Sequence, residues 1–166
     1  NALSRAYSSG VLSTAELREA LGRLTEPETG PPWSVLLASG LGCAAFAVIF
    51  GGSPPDACFA GIMGFLVTVL QSLLSRHPVP LVVNAALGGA VAALGSLFGQ
   101  SVFALDGAKV IMGAVMVLVP GVTMTTALRD MLSGELVSGV SRGAEALAVA
   151  VAVAAGVAGV LSLGVL

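Results

Sequence analysis

Charge is what this sequence has least of. Only 10% of its 166 residues are Asp, Glu, Lys or Arg, against about one quarter in soluble domains. So few charges cannot coat a water-facing surface. The net charge is −2, and no basic run of the kind that binds nucleic acid is present. Histidine occurs once, as His77 between Arg76 and Pro78, and reads as a residue of a wet turn. The two cysteines, Cys43 and Cys58, fit no zinc or redox spacing and read as small apolar helix residues. There is no Ser-His-Asp set, metal-ligand cluster or phosphate loop. The chain therefore does not read as an enzyme, and it calls for no cofactor and no metal.

Apolar residues are abundant, at 56%. The fold class expected is all-α: a polytopic membrane bundle of five helices, one of them interrupted, preceded by a short amphipathic helix. Residues 1–32 form the cytoplasmic helix and linker. There Ser13 and Glu16 make a capping box, and Leu17, Ala20, Leu21 and Leu24 share one helical face. Pro27, Gly30, Pro31 and Pro32 end that helix. Asn1 rather than Met at the start fits a front that has been trimmed.

Residues 33–166 form the membrane domain. A span needs roughly 20 mostly apolar residues, and five segments qualify: about 33–50, 56–75, 81–99, 107–128 and 143–166. Trp33 suits an interface. "GGSPP" (51–55) and "RHPVP" (76–80) are turns, and Asp56 suits a helix start through the dipole. Asp106 reads as another helix-start residue. Basic residues set the orientation: Arg5, Arg18 and Arg23, then Arg76, then Arg129 and Arg142 alternate on the cytoplasmic side. Lys109 can snorkel to the outer interface. An odd span count places a following five-span unit upside down, as in inverted-repeat transporters. Gly95-x-x-x-Gly99 and Gly139-x-x-x-Gly143 read as helix-packing pairs. Asn84 is a polar group inside span three that needs a partner, either as helix glue or as cavity lining.

Two features carry the functional argument. Pro120 and Gly121 sit near the centre of span four. Proline removes a backbone donor and clashes with the carbonyl one turn earlier, and the freed carbonyls must face protein or a wet cavity. Thr123, Thr125 and Thr126 can supply hydroxyls there. Either this is a kink that those threonines re-satisfy, or it is a kink that also binds a ligand. The second feature is the charge gathered between spans four and five. Arg129 and Asp130 are adjacent and point to different faces, whereas Arg142 and Glu145 are three apart and can meet. Asp130, Glu135 and Glu145 are candidate proton carriers. Arg129 and Arg142 are candidate carboxylate anchors, since the guanidinium fork suits bidentate recognition. A solvated loop with ordinary charges is the alternative.

The stretch "LVPGVTMTTALRDMLSGELVSGVSRGAEAL" resembles the signature region of the threonine/serine exporter family. The matching positions are Leu118 to Gly121, Arg129-Asp130, Gly134-Glu135, Ser138-Gly139, Arg142 and Glu145, with Glu135 where many members carry Asp. "PPWSVLLASGLGCAAFAVIFGGSPPDACFAG" is similar to the family's first two spans, and "SSGVLSTAELREAL" resembles the linker before them. The resemblance implies an exporter of small amino acids such as threonine and serine, or of a dicarboxylate in two-subunit relatives. It also implies a second five-span half, residues before Asn1, and a bacterial-type inner membrane. Pro120, Gly121, Thr123, Arg129, Asp130, Glu135, Arg142 and Glu145 are then the expected substrate and ion site, on the path of a proton-coupled exporter. An accessory subunit that scaffolds a complex and moves nothing is the alternative.

Overall fold

The computed structural model describes Thr14, Glu16 and residues 33–164. The chain divides into two units, Asn1–Pro31 and Pro32–Leu166. Thr14 and Glu16 are helical and exposed; the rest of the expected amphipathic helix lies outside the described residues. The second unit is all helix, with no strand among its described residues.

Six α-helices follow one another: α1 (Trp33–Ile49), α2 (Pro54–Leu74), α3 (Leu81–Phe103), α4 (Gly107–Ala114), α5 (Gly121–Leu132) and α6 (Leu136–Gly164). A four-residue 3₁₀ turn, Val115–Leu118, continues α4. Three helices, α2, α3 and α6, are long and apolar enough to cross a membrane. The pair Gly107–Leu118 and Gly121–Leu132 passes the same test only when taken together, and it bends by 53°. Helix α1 is apolar but has 17 residues, about 25 Å at 1.5 Å per residue.

Helix α6 begins at Leu136, ahead of the expected start of the last span at residue 143. Its first two turns, Leu136 to Arg142, mix Ser, Gly and a charge, so hydropathy alone hid them. Helix α5 ends in a Schellman motif. Glu135 donates its N–H to Asp130 O at 2.9 Å, and Gly134 donates to Met131 O at 3.1 Å. Gly134 takes φ +86°, a left-handed conformation that costs an L residue its Cβ clearance. The charged segment is thus a tight corner between two helices, and Arg142 and Glu145 both stand on α6.

The interior is made of small side chains. Ala47, Ala60, Ala92, Ala93, Ala114 and Ala127 have no exposed surface. Large apolar residues such as Leu41, Phe98, Leu132 and Leu147 face outward. Lipid offers no hydrophobic drive for helix association, so close packing of small residues must supply it. A Cβ added at Gly95 would strike Met63, one at Gly99 would strike Phe59, and one at Gly139 would meet Ala127 O and Met131 N at 2.8 Å. Gly143 touches only the Ala127 methyl, at an ordinary 3.8 Å. The closest backbone approach lies elsewhere, between α3 and α6. A Cβ on Gly89 would fall 2.5 Å from Val153 O, and one on Gly156 would fall 2.0 Å from Ala86 O.

One buried carboxylate ties two corners together. Asp56 is 3% exposed. Its Oδ2 accepts from Ser53 N–H at 2.8 Å and from the Ser53 hydroxyl at 2.5 Å. Its Oδ1 accepts from Asp106 N–H at 2.9 Å. The α1–α2 turn and the α3–α4 link are therefore joined at one end of the bundle.

Candidate functional site

The break between the 3₁₀ turn and α5 follows from Pro120. Lacking an N–H, it cannot bond Met116 O, which accepts instead from Val119 N–H at 3.3 Å. Gly121 N–H turns back to Val119 O at 2.8 Å. With Pro120 at φ −79° and ψ 53°, this is an inverse γ-turn. A new ladder then starts with Met124 N–H to Pro120 O at 2.9 Å. In a continuous helix Gly121 would have donated to Val117 O, and that carbonyl loses its donor here. The 3₁₀ register also shifts the pairing before the break, and Cys43 Sγ approaches the carbonyl of Ala114 at 3.7 Å.

The threonines do not repair the break. Thr125 Oγ1 donates to Gly121 O at 3.0 Å and to Val122 O at 2.9 Å. Thr126 Oγ1 also donates to Val122 O. Both serve carbonyls of α5 itself. Thr123 is half-buried, and its hydroxyl has no hydrogen-bond partner among the described residues. Pro120 is half-buried, and Gly121 is exposed with nothing near its missing Cβ.

The charges sort differently from their spacing. Arg142 does not pair with Glu145; its Nη1 lies 3.2 Å from Asp130 Oδ2, across the corner on α5. Asp130 is the only half-buried charge of the group, with a side chain 19% exposed against 50% for Arg142. A carboxylate withdrawn from water attracts a cation more strongly than an exposed one such as Glu145. The pair is close but not aligned as a hydrogen bond, so Asp130 Oδ2 remains buried without one. Arg129, Glu135 and Glu145 are exposed. The structure thus brings Asp130 and Arg142 together at the α5–α6 corner. Arg129, Glu135 and Glu145 stand around that corner on water- or lipid-facing positions, and Pro120, Gly121 and Thr123 lie at the other end of α5.

Sequence spacing also missed a polar pair beside the break. Asn84, on α3, is 7% exposed, and its Oδ1 is buried without a hydrogen bond. Gln71, on α2, donates its Nε2 to the Asn84 carbonyl at 3.2 Å. A Cβ on Gly88 would lie 2.7 Å from that same Nε2 and 3.0 Å from a Leu118 methyl. The amide of Gln71 and the last residue of the 3₁₀ turn therefore meet on one face of α3. The signal available in the sequence was a lone Asn within an apolar run; the Gln71 amide that meets it, 13 residues away, and Leu118, which meets Gly88, could not be read from it. Among the described residues no group of three His, Cys, Asp or Glu side chains could hold a metal ion.

Among the described residues, several helices long and apolar enough to cross a membrane, with one further pair bent at a proline, define an integral membrane protein. The family model of the threonine/serine exporters, ThrE, matches residues 1–164, and the chain belongs to that family. A Mycobacterium tuberculosis protein named probable threonine/serine exporter is 23% identical over 156 residues. That match covers 93% of this chain and 30% of the relative, so the chain spans less than a third of the relative's length. No solved structure matches.

Proposed function

We propose that this chain is the first membrane half of a secondary transporter that exports small amino acids, threonine and serine foremost, coupled to protons. In this reading α1, α2, α3, the broken α4–α5 pair and α6 are five spans, with the N-terminus cytoplasmic in a bacterial-type inner membrane. The 17 residues of α1 fall at the short end of the spanning range, about 17 to 25. A second, inverted five-span half completes the path, either fused or as a separate subunit. A small dicarboxylate is the alternative cargo.

The single observation that carries the reading is the break at Pro120. It leaves the Val117 carbonyl without its helical donor, and lipid cannot replace that donor. Such a carbonyl suits the ammonium of an amino acid. The α5–α6 corner lies at the other end of α5, about 15 Å along the helix, and acts as a second station on the path, where Arg142 holds either Asp130 or a substrate carboxylate. The substrate ammonium bonds ionised Asp130 while its carboxylate bonds Arg142, so the zwitterion parts the ion pair. Protonation of Asp130 from the outer side removes the anion that holds the ammonium and releases the substrate, so that proton entry is exchanged for substrate exit. Glu135 and Glu145 relay protons between water and Asp130, and Arg129 draws anions to the corner.

Reconstitution of the complete protein in liposomes tests this. Labelled threonine should move in exchange for protons under an imposed proton gradient, and Arg142→Gln should lower transport about tenfold, the equivalent of about 1.4 kcal/mol. Absence of threonine, serine or dicarboxylate movement by the intact protein would leave the accessory-subunit reading in its place.

A further inference from the structure

Resting on that reading, we infer that Asn84 is a specificity residue whose Oδ1 accepts a hydrogen bond from the side-chain hydroxyl of the transported amino acid.

Four observations converge. Asn84 is buried, and its Oδ1 has no hydrogen bond. Buried polar atoms are almost always paired, so an orphan acceptor is a place where a donor is missing. Residues i and i+4 share a helix face, which puts Asn84 on the face of Gly88. That face meets the Gln71 amide and Leu118, two residues before Pro120. Gln71 spends its Nε2 on the backbone carbonyl of Asn84, which anchors the amide donor and leaves Oδ1 free. Gly88 lets Gln71 and Leu118 close onto α3, since a methyl there would fall 2.7 Å from Gln71 Nε2.

The chemistry selects the donor. An ammonium carries a full charge and seeks several acceptors or an anion; the carbonyls freed at the broken helix offer acceptors. A neutral amide oxygen in an apolar wall suits a neutral donor, and a hydroxyl supplies one hydrogen for one vacant acceptor. A site built to bond a hydroxyl rejects the analogue that lacks it, because the buried acceptor then goes unpaired. Valine replaces the threonine hydroxyl with a methyl at nearly constant shape, and alanine removes the serine hydroxyl.

The test uses the complete protein in liposomes, with labelled threonine as cargo and valine as competitor. The intact protein should prefer threonine over valine by about tenfold or more, in line with a discrimination of that kind. Asn84→Ala should raise KM for threonine about tenfold and bring the threonine-to-valine preference close to one, with valine competition unchanged or improved. Asn84→Asp, which keeps an acceptor in place, should retain the preference. Threonine-dependent thermal stabilisation in detergent reads binding without transport. The intact protein should be stabilised by threonine and not by valine, and Asn84→Ala should respond to neither. Equal loss of threonine and valine recognition in a folded Asn84→Ala protein, or no change in either, would overturn the assignment while leaving the exporter reading in place. An intact protein that neither binds nor moves threonine would take both down.

Discussion

Among the described residues of the membrane unit, the two carboxylates most withdrawn from solvent make opposite bargains with their surroundings. Asp56 sits at one end of the bundle with both oxygens occupied by donors from two different corners. Asp130 sits at the α5–α6 corner with a single cation nearby and an oxygen that has no hydrogen bond. A carboxylate that accepts several hydrogen bonds is a fixed structural element. One held by a single misaligned ion pair has fewer bonds to break when its partner changes. In the proposed function the difference separates a latch from a switch, although both residues are aspartates near the ends of apolar helices.

Removing the latch should have the largest effect. Asp56→Ala strands the Ser53 and Asp106 amides and should cost about 3 kcal/mol of stability, seen as a lowered thermal midpoint in detergent. Asp130→Asn should instead keep the midpoint within about 3 °C while reducing proton-driven threonine transport about tenfold. If Asp130→Asn proved as destabilising as Asp56→Ala, the contrast would collapse. Gly134→Ala forces a side chain into φ +86° and should cost about 1 to 2 kcal/mol, loosening the corner that presents Asp130 to Arg142.

The smallest effect concerns Asp106, at the latch end. Its hydrogen bond to Lys109 holds its carboxyl below the usual carboxylate range, helped by the 3.0 Å ion pair to Lys109 Nζ. A lowered folded-state value means that the stabilisation is present above the ordinary carboxylate value, about 3.9. It is lost as pH falls through the lower folded value. The side chain is exposed, so Lys109→Met should shift the Asp106 titration upward in NMR and barely move the thermal midpoint at neutral pH.

The parts of this arrangement that could be read from the sequence are those set by local chemistry. Proline in mid-span implied the break, because its missing donor and its ring act within four residues. The helix starts at Trp33, Pro54, Leu81 and Gly107 lie close to the expected segment starts, where Gly and Pro corners mark them, whereas α3 runs on to Phe103, past the expected 99. Asp56 read as a helix-start residue, but its bond to Asp106 spans 50 residues and has no local signature. Spacing suggested Arg142 with Glu145; burial decided for Asp130, and burial depends on how α5 folds back on α6. The start of α6 was obscured because Leu136 to Arg142 looks like a polar loop. Gly134 was the overlooked clue, since a glycine just past a helix marks a sharp stop and leaves no length for a loop. Asn84 stood out as odd, yet only the approach of α2 and Leu118 gives it a role.

The contact between α3 and α6 has a mechanical consequence. Where Gly89 meets Val153 O and Gly156 meets Ala86 O, main chain lies against main chain, with no side chain between to act as a bearing. Two helices seated so closely cannot slip past each other by small rotamer changes; they move as a single plank. In the proposed transport cycle, rocking would then fall on the inverse turn at Pro120, where Gly121 has nothing near its missing Cβ.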